Sequence, residues 1–167
     1  MRICHVSPHL PPDQAANALL PAQLGRWMRA RGDEVSYVAH EAGQTSGPPP
    51  DLAGPVSWIP RRPVGGGLRR WLRLDALEVA RQVNAALDQR ASKADLVHLH
   101  SNGLIVEVAA AWAQRRRTPY VLTLYGTEIW HYRKRYPIDR FARAYRGASQ
   151  VTFYSRRLLE RAAAAVG

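Results

Sequence analysis

The chain has 167 residues and a formal net charge of +11, with 46% apolar, 22% charged and 8% aromatic residues. This length suits one domain with a hydrophobic core, and the apolar content excludes an intrinsically disordered chain. The single cysteine, Cys4, excludes a disulfide scaffold, and every apolar run is too short for a transmembrane helix. Because no signal-peptide apolar segment precedes the first prolines, we expect a cytoplasmic location.

The positive charge comes almost entirely from arginine, since Lys93 and Lys134 are the only lysines among 24 basic residues. Two interpretations stay open. Such a bias can reflect the composition of the source genome, or it can attract the phosphates of a nucleic acid or of an anionic membrane. No recognised nucleic-acid-binding motif accompanies the charge, so we expect no nucleic-acid partner.

Short β-rich runs alternate with helical patterns along the whole chain. The patterns predict strands over residues 2–7, 34–39, 56–59, 95–100, 120–124 and 150–154. Apolar residues at helical spacing predict five helices, with these expected buried positions: Leu20, Leu24, Trp27 and Met28; Ala76, Ala80, Val83 and Leu87; Ile105, Val108, Ala109 and Trp112; Ile138, Phe141, Ala142 and Tyr145; Leu158, Leu159 and Ala162. Stretches rich in glycine and proline predict loops over residues 41–55 and 61–70.

Small and polar residues mark the expected helix ends. Pro21 belongs in a first helical turn, so the first helix should begin near Asn17, which would cap it. Gly32 should follow that helix in a left-handed conformation. The other expected N-caps are Ser101 or Asn102 for the helix after the fourth strand, and Ser155 for the last helix.

Alternating strands and helices predict an α/β fold with a doubly wound, mainly parallel Rossmann-like sheet of about six strands and helices on both faces. Right-handed crossovers favour the strand order 3-2-1-4-5-6. Ligands of such sheets bind at the carboxyl ends of the strands, near the point where the order reverses. The residues that follow Ser7, His100, Leu124 and Tyr154 are therefore the candidates for a site.

The loop after the first strand, residues 7–17, contains no glycine. A dinucleotide-binding fold needs G-x-G-x-x-G at this position, so we expect no nicotinamide or flavin cofactor. The small residues Ala15, Ala16 and Asn17 could bring helix N–H groups close to a donor phosphate. The alternative is an ordinary loop capped by Asn17. His9 lies in the same loop and is placed with the cleft residues by its position.

Two histidines, His98 and His100, stand two residues apart at the end of the fourth predicted strand and therefore share one face. A metal site would need a third ligand, and none stands out, so we predict no bound metal. His98 reads as a core histidine, whereas His100 lies closer to the strand end and should face a cleft. The pattern assigns no role to His5.

The loop after the fifth strand is the most informative, because it places Tyr125, Gly126, Thr127 and Glu128 directly after a buried strand. Groups at a strand end are held rigidly, as an active site requires. Glu128 could bind sugar hydroxyls or orient a base, and an ion pair with Arg133 is the alternative. Cys4 reads as a core residue.

Taken together, these segments resemble the amino-terminal domain of GT-B glycosyltransferases of family 4, the retaining nucleotide-sugar group. The segments that carry the resemblance are MRICHVSPHLPP, LGRWMRARGDEVSYVA, ADLVHLHS, TPYVLTLYGTEIW and ASQVTFYSRRLLERAAAAVG. The resemblance implies that residues 1–167 form the acceptor side of a cleft, and that a second Rossmann-like domain binds the nucleotide-sugar. That second domain carries an E-x7-E pair, and no two glutamates here are so spaced. We therefore expect an isolated acceptor domain that lacks the carboxy-terminal donor domain and is inactive alone.

The resemblance also implies roles for individual residues. Tyr125 and Glu128 become the catalytic candidates; the acceptor and cleft candidates are His9, His100, Ser101, Asn102, Gly126 and Thr127, and those near the donor phosphates are Ala15, Ala16 and Asn17. The family has glycines in the first loop and reads H-G-T-D or similar after the fifth strand, where this chain has Tyr125-Gly126-Thr127-Glu128. The family's histidine contacts the donor sugar, whereas a phenol can donate a hydrogen bond but is a poor base at neutral pH. Retention of configuration requires no protein nucleophile in these enzymes.

The implied activity is hexosyl transfer from a nucleotide-sugar to a sugar or lipid-linked acceptor, in synthesis of the cell envelope, a polysaccharide or a glycolipid. Basic and aromatic residues around two loops suggest docking on the inner face of an anionic membrane; they are Arg61, Arg62, Arg69, Arg70, Trp71 and Arg73, and Arg133, Lys134, Arg135 and Tyr136. A solvated arginine-rich face is the alternative. The competing function is a non-catalytic basic binding module for a nucleotide or another polyanion.

Overall fold

The structure is a computed structural model that describes residues 1–42, 51–61, 74–134 and 137–166. The strands are β1 (Arg2–Ser7), β2 (Glu34–His40), β3 (Val56–Ile59), β4 (Leu96–His100), β5 (Tyr120–Leu124) and β6 (Gln150–Phe153). The helices are α1 (Ala16–Ala30), α2 (Leu74–Arg90), α3 (Leu104–Arg116), α4 (Thr127–Trp130), α5 (Arg140–Gly147) and α6 (Arg156–Val166). No helix in the described ranges is both long and apolar enough to cross a bilayer.

The six strands form one parallel sheet in the order β3-β2-β1-β4-β5-β6, which confirms the predicted doubly wound arrangement. The order reverses between β1 and β4. In the register of these strands, His5 of β1 stands beside Tyr37 of β2 and His98 of β4, and His100 stands beside Thr123 of β5. Because all strands are parallel, their carboxyl ends lie along one edge of the sheet.

The two faces of the sheet differ in chemistry. One face carries apolar side chains such as Cys4, Val6 and Leu99, and packs with Val83 of α2 and Ile105 of α3 in the main hydrophobic core. This placement confirms Cys4 as a core residue, and burial raises the pKa of its thiol to about 11. The other face carries the polar residues described below and is covered by α1, which packs on β1 and β2.

Helix α1 buries a different face from the one predicted. Its buried residues are small, Ala18, Pro21, Ala22 and Gly25, whereas Trp27 is 55% exposed. The strands beneath α1 already carry bulky rings, so the helix can approach them only through small residues. Of the expected stripe, only Trp27 is exposed, whereas Leu20, Leu24 and Met28 are half-buried and Met28 packs against a smaller hydrophobic cluster.

Proline 21 lies in the second turn of α1, not in the first as predicted. It has no N–H to donate to the carbonyl of Asn17, one turn earlier. The Ser7 hydroxyl at the end of β1 donates a 2.8 Å hydrogen bond to that carbonyl instead. A side chain of the sheet thus satisfies the backbone group that the proline leaves without its helical partner.

The predicted helix ends have mixed outcomes. Gly32 adopts φ +90° as expected, and the Ser155 hydroxyl accepts a 3.3 Å hydrogen bond from the Leu158 N–H at the start of α6. Ala15 is the N-cap of α1 and Gly103 that of α3, both without a side-chain hydrogen bond, so Asn17, Ser101 and Asn102 are not caps. Two apolar positions are also exposed against expectation, Ile138 at 59% and Leu159 at 47%.

Candidate functional site

The carboxyl ends of β4 and β5 bring His100 and Tyr125 into direct contact. The Nδ1 atom of His100 lies 2.8 Å from the Tyr125 hydroxyl oxygen, a hydrogen-bond distance. His100 is 1% exposed, and Tyr125 is half-buried above it. The two strand ends singled out from the sequence therefore meet at one point of the sheet edge.

Behind this pair stands His5, a residue to which sequence reasoning assigned no role. Its Nδ1 atom lies 2.9 Å from Nε2 of His100, so His5, His100 and Tyr125 form a continuous hydrogen-bonded chain. His5 is completely buried, and its Nε2 has no hydrogen-bond partner among the described residues. The buried end of the chain is therefore a single ring nitrogen.

A second set of polar contacts runs parallel to this chain. Nε2 of His98 lies 2.7 Å from the Thr123 hydroxyl, which lies 2.7 Å from the hydroxyl of Thr152 on β6. The His98 and His100 rings are stacked, with centroids 4.1 Å apart. His98 is thus a buried, hydrogen-bonded residue, in agreement with its reading as a core histidine.

Burial controls the protonation of these groups. It lowers the pKa of His5 to about 3 and that of His98 to about 4, and it holds the pKa of His100 well below the usual value. Burial, followed by the Glu128 charge, raises the pKa of Tyr125 above its usual value. At neutral pH the three imidazoles are therefore uncharged and Tyr125 keeps its proton.

The structure supplies the third histidine that the sequence did not reveal: one nitrogen each of His5, His98 and His100 lies within 4.8 Å of the others. Neutral imidazoles can bind metals. However, both nitrogens of His100 and one each of His5 and His98 are already in hydrogen bonds. A cation held by all three histidines would have to displace a hydrogen bond of His100, so these residues fit a hydrogen-bonded network better than a metal centre.

The turn after β5 is held by Glu128. Its buried carboxylate accepts a 2.7 Å hydrogen bond from the Gly126 N–H and a longer one of 3.4 Å from the Tyr125 N–H. Gly126 adopts φ +145°, a conformation that L side chains rarely adopt. The contacts of Glu128 are thus with the backbone of the loop that carries Tyr125, and residues 127–130 form a one-turn helix that the sequence did not predict.

Two cavities lie on either side of this turn. A cavity of about 390 Å³ is lined by His100, Thr123 and Tyr125 together with Leu20, Leu24 and Tyr154. A larger one of about 860 Å³ is lined both by apolar residues, such as Leu104 and Phe141, and by polar ones, which are Asn102, Glu107, Thr127, Glu128, His131, Tyr132, Arg133, Asp139 and Arg140. The two catalytic candidates, Tyr125 and Glu128, therefore line different cavities.

The remaining candidates lie elsewhere at the same edge. His9 Nδ1 is 2.8 Å from a carboxylate oxygen of Asp13 and 2.9 Å from an Arg61 nitrogen. Ala15 and Ala16 are exposed at the start of α1.

Ser101 is buried with φ +69°, and its N–H donates to the Thr123 carbonyl at 2.8 Å. It shapes the end of β4. Of the basic residues around the loops, Arg62, Arg69, Arg70, Trp71, Arg73, Arg135 and Tyr136 lie outside the described residues.

Residues 21–167 match the family model described as a glycosyl transferase 4-like domain. No curated protein matches the chain.

Several solved structures share the fold. Sucrose-phosphate synthase from Thermosynechococcus elongatus superposes with a TM-score of 0.63 at 12% identity, covering 99% of this chain and 45% of that one. UDP-GlcNAc 2-epimerase from Methanocaldococcus jannaschii superposes with a TM-score of 0.60 at 10% identity, covering 96% of this chain and 41% of that one. MurG from Acinetobacter baumannii superposes with a TM-score of 0.55 at 12% identity, covering 92% of this chain and 41% of that one. The chain thus spans less than half the length of these proteins.

Proposed function

The chain belongs to the glycosyl transferase 4-like domain family, and on that premise we propose that it is the amino-terminal, acceptor-side domain of a retaining, nucleotide-sugar-dependent hexosyltransferase. The observation that carries the proposal is the 2.8 Å contact between His100 and Tyr125 beside a cavity at the carboxyl edge of the sheet. Doubly wound sheets bind their ligands at this edge, close to the point where the strand order reverses.

Tyr125 acts in this proposal as a hydrogen-bond donor. Its raised pKa keeps the phenol protonated at neutral pH, so it cannot serve as a general base. A protonated hydroxyl can instead stabilise an oxygen that gains negative charge as the glycosidic bond to the leaving phosphate breaks. In this proposal Tyr125 makes the donor-sugar contact that a histidine makes elsewhere in the family, and it removes no proton.

The larger cavity is the proposed acceptor site. Asn102 and Thr127 offer donors and acceptors to sugar hydroxyls, Glu107 offers a carboxylate, and Arg133 and Arg140 offer cationic donors. Its volume of about 860 Å³ falls within the usual range for small-molecule sites. Glu128 is among the residues that line this cavity, and its carboxylate holds the turn between the two sites.

The donor nucleotide is assigned mainly to a second domain of the full-length protein. On this chain, Ala15, Ala16 and Asn17 at the start of α1 are assigned to the donor phosphates; Ala15 and Ala16 are small and exposed, which leaves their backbone accessible, and Asn17 is half-buried. His9 stands in the same loop.

A screen of the full-length protein against nucleotide-sugars and sugar or lipid-linked acceptors tests the proposal. The expected result is glycosyl transfer with retention of anomeric configuration, whereas residues 1–167 alone leave the donor intact. If the full-length protein transfers no sugar, and residues 1–167 instead bind polyanions with a steep salt dependence, the chain is a binding module and the proposal is wrong.

Docking on an anionic membrane extends the proposal to a lipid-linked acceptor in envelope synthesis. The net charge of +11 supports it, as do the exposed Arg133, which lines the larger cavity, and its sequence neighbour Lys134, which is also exposed. Co-sedimentation with anionic and neutral vesicles is the test. Lys134→Gln should weaken binding to anionic vesicles, whereas the control Lys93→Gln, at the opposite edge of the sheet, should not; equal binding to both lipids contradicts docking.

A further inference from the structure

The buried end of the histidine chain carries information about where its protons lie. Nε2 of His5 is inaccessible to solvent and has no hydrogen-bond partner among the described residues. The other nitrogen of His5, both nitrogens of His100 and the Tyr125 oxygen are all in hydrogen bonds. A neutral imidazole carries one N–H, so the state of this one atom fixes the direction of every bond in the chain.

Two directions are possible. In the inward direction, the Tyr125 hydroxyl donates to Nδ1 of His100, His100 donates from Nε2 to Nδ1 of His5, and His5 keeps an N–H on its buried Nε2. In the outward direction, His5 donates from Nδ1 to Nε2 of His100, and His100 donates from Nδ1 to the Tyr125 oxygen. His5 Nε2 then carries a lone pair, and the tyrosine proton is left to point elsewhere.

Burial without a partner separates the two directions. Buried N–H groups without an acceptor are rarer in proteins than buried acceptors without a donor. The inward direction places such an N–H at His5 Nε2, whereas the outward direction places only a lone pair there. A phenol is a stronger donor than an imidazole N–H, which favours the inward direction, but the inward direction buries an N–H with no acceptor among the described residues at His5 Nε2. The outward direction keeps the same two contacts and leaves no buried donor of these three residues unpaired, because the freed Tyr125 proton faces the cavity.

We infer that the hydrogen bonds among His5, His100 and Tyr125 run outward: His5 donates to His100, and His100 donates to the Tyr125 oxygen. The Tyr125 O–H then points into the cavity lined by Thr123, Phe153 and Tyr154. His5 and His100 are positioning residues for that proton. A hydroxyl that accepts one hydrogen bond is polarised and donates a stronger one, so the chain also strengthens Tyr125 as a donor. The buried histidines thus convert a tyrosine into a fixed, one-directional donor.

Because the Tyr125 O–H points into the cavity, the ligand group that binds there should be a hydrogen-bond acceptor, such as a negatively charged oxygen. A phosphate oxygen of the leaving nucleotide fits that description, and this assignment rests on the proposed function. A ligand group that only donates would instead have to share the Tyr125 oxygen with the His100 N–H and would leave the Tyr125 O–H without an acceptor.

Long-range 1H–15N correlation spectra of residues 1–167 with 15N-labelled histidine, recorded at pH 7.5, read the tautomers directly. We expect His5 and His100 to carry the proton on Nδ1 and to show an unprotonated Nε2. Nε2–H tautomers on both rings would overturn the inference. So would a proton on Nε2 of His100 alone, because Tyr125 would then be the donor to His100.

A Tyr125→Phe variant provides the second readout. The outward direction leaves the His100 Nδ1–H without its acceptor, so the proton resonance of that group should shift and exchange faster with solvent. The Thr152→Val variant, which removes a hydroxyl bonded to Thr123, is the matched control and should leave the His100 resonance in place. A His100 spectrum unchanged by Tyr125→Phe contradicts the inference. These spectra need no substrate. They can therefore contradict the inferred hydrogen-bond direction even if sugar transfer is found, and they can support it even if no transfer is found.

Discussion

The hydroxyl of Tyr37 on β2 fills the space in which a side chain at Gly25 of α1 would stand. A Cβ built on Gly25 would lie 2.8 Å from Cζ of Tyr37, closer than real Cβ contacts, and would overlap the hydroxyl itself. The Tyr37 ring is in turn stacked on His5, with centroids 5.4 Å apart. Helix α1 therefore rests directly on the polar layer that supports Tyr125.

Gly25→Ala should destabilise the fold, although alanine favours a helix by about 1 kcal/mol over glycine. The overlap forces Tyr37 or α1 to move, for a net loss of roughly 1–3 kcal/mol in the free energy of unfolding. Urea denaturation measures it, with the exposed Gln23→Ala as a control of little effect. Adding Tyr37→Phe, which removes the hydroxyl, should recover part of the loss; no recovery would show that the overlap is not the cause.

Ser7→Ala should cost about 1 kcal/mol, because the Asn17 carbonyl loses the donor that replaces the N–H missing at Pro21. The Pro21→Ala background supplies that N–H again, so the same serine change should cost much less there. A double-mutant cycle of unfolding free energies measures the difference. Equal costs in both backgrounds would contradict the link between the serine and the proline.

Glu128→Ala should loosen the turn after β5, since the N–H groups of Gly126 and Tyr125 lose their shared acceptor. The expected loss is roughly 1–3 kcal/mol in unfolding free energy, with faster amide hydrogen exchange at Gly126. Glu128→Gln keeps one carbonyl oxygen and should lose less. An unchanged exchange rate in the alanine variant would show that the carboxylate does not hold the turn.

Acidification should destabilise the protein below pH 6.5. The unfolded chain binds protons at its histidines near pH 6.5, whereas burial lowers the folded-state pKa of His5 to about 3, of His98 to about 4, and of His100 well below 6.5. The unfolded state thus binds more protons, and stability falls as pH falls from 6.5. Each of these histidines lowers the free energy of unfolding by about 1.4 kcal/mol per unit fall in pH, once that histidine is mostly charged in the unfolded chain.

Denaturation midpoints between pH 7 and pH 5 measure this slope, in a range above most carboxylate titration. His98→Gln removes one of these groups and should reduce the slope; burial also lowers the pKa of His40, which adds to the slope in both variants. A pH-independent stability over this range would mean that the histidines bind protons in the folded state as they do in the unfolded chain.

The sequence predicted the sheet well because parallel strands buried on both faces are short apolar runs with sharp ends. All six strands lie where alternation and turn residues placed them. The register was harder to foresee: the predicted order already placed β1 beside β4, but nothing local to His5 shows which residue of β4 it stands beside, and only that register joins His5 to His98 and His100. The face of α1 was predicted wrongly because the usual rule buries large apolar residues, whereas here Tyr37 and His5 occupy the room and leave space for glycine and alanine.

At the candidate site, the sequence predicted that the loop after β5 carries functional residues, but not that Tyr125 and Glu128 line different cavities. Tyr125 and Glu128 stand three residues apart, which gives no sign that a turn separates two cavities between them. The direction of a side chain in a tight turn depends on backbone angles such as φ +145° at Gly126. The residue types in the turn restrict these angles but do not determine them.

The central claim is that the Tyr125 hydroxyl donates to an oxygen of the reacting group during sugar transfer. The most direct measurement is kcat for Tyr125→Phe in the full-length protein, with the donor and acceptor identified by the screen. Loss of one positioned donor to a developing negative charge predicts a fall in kcat of about 100- to 1,000-fold, with the acceptor KM changed little. A variant that transfers sugar at the wild-type rate would contradict the claim.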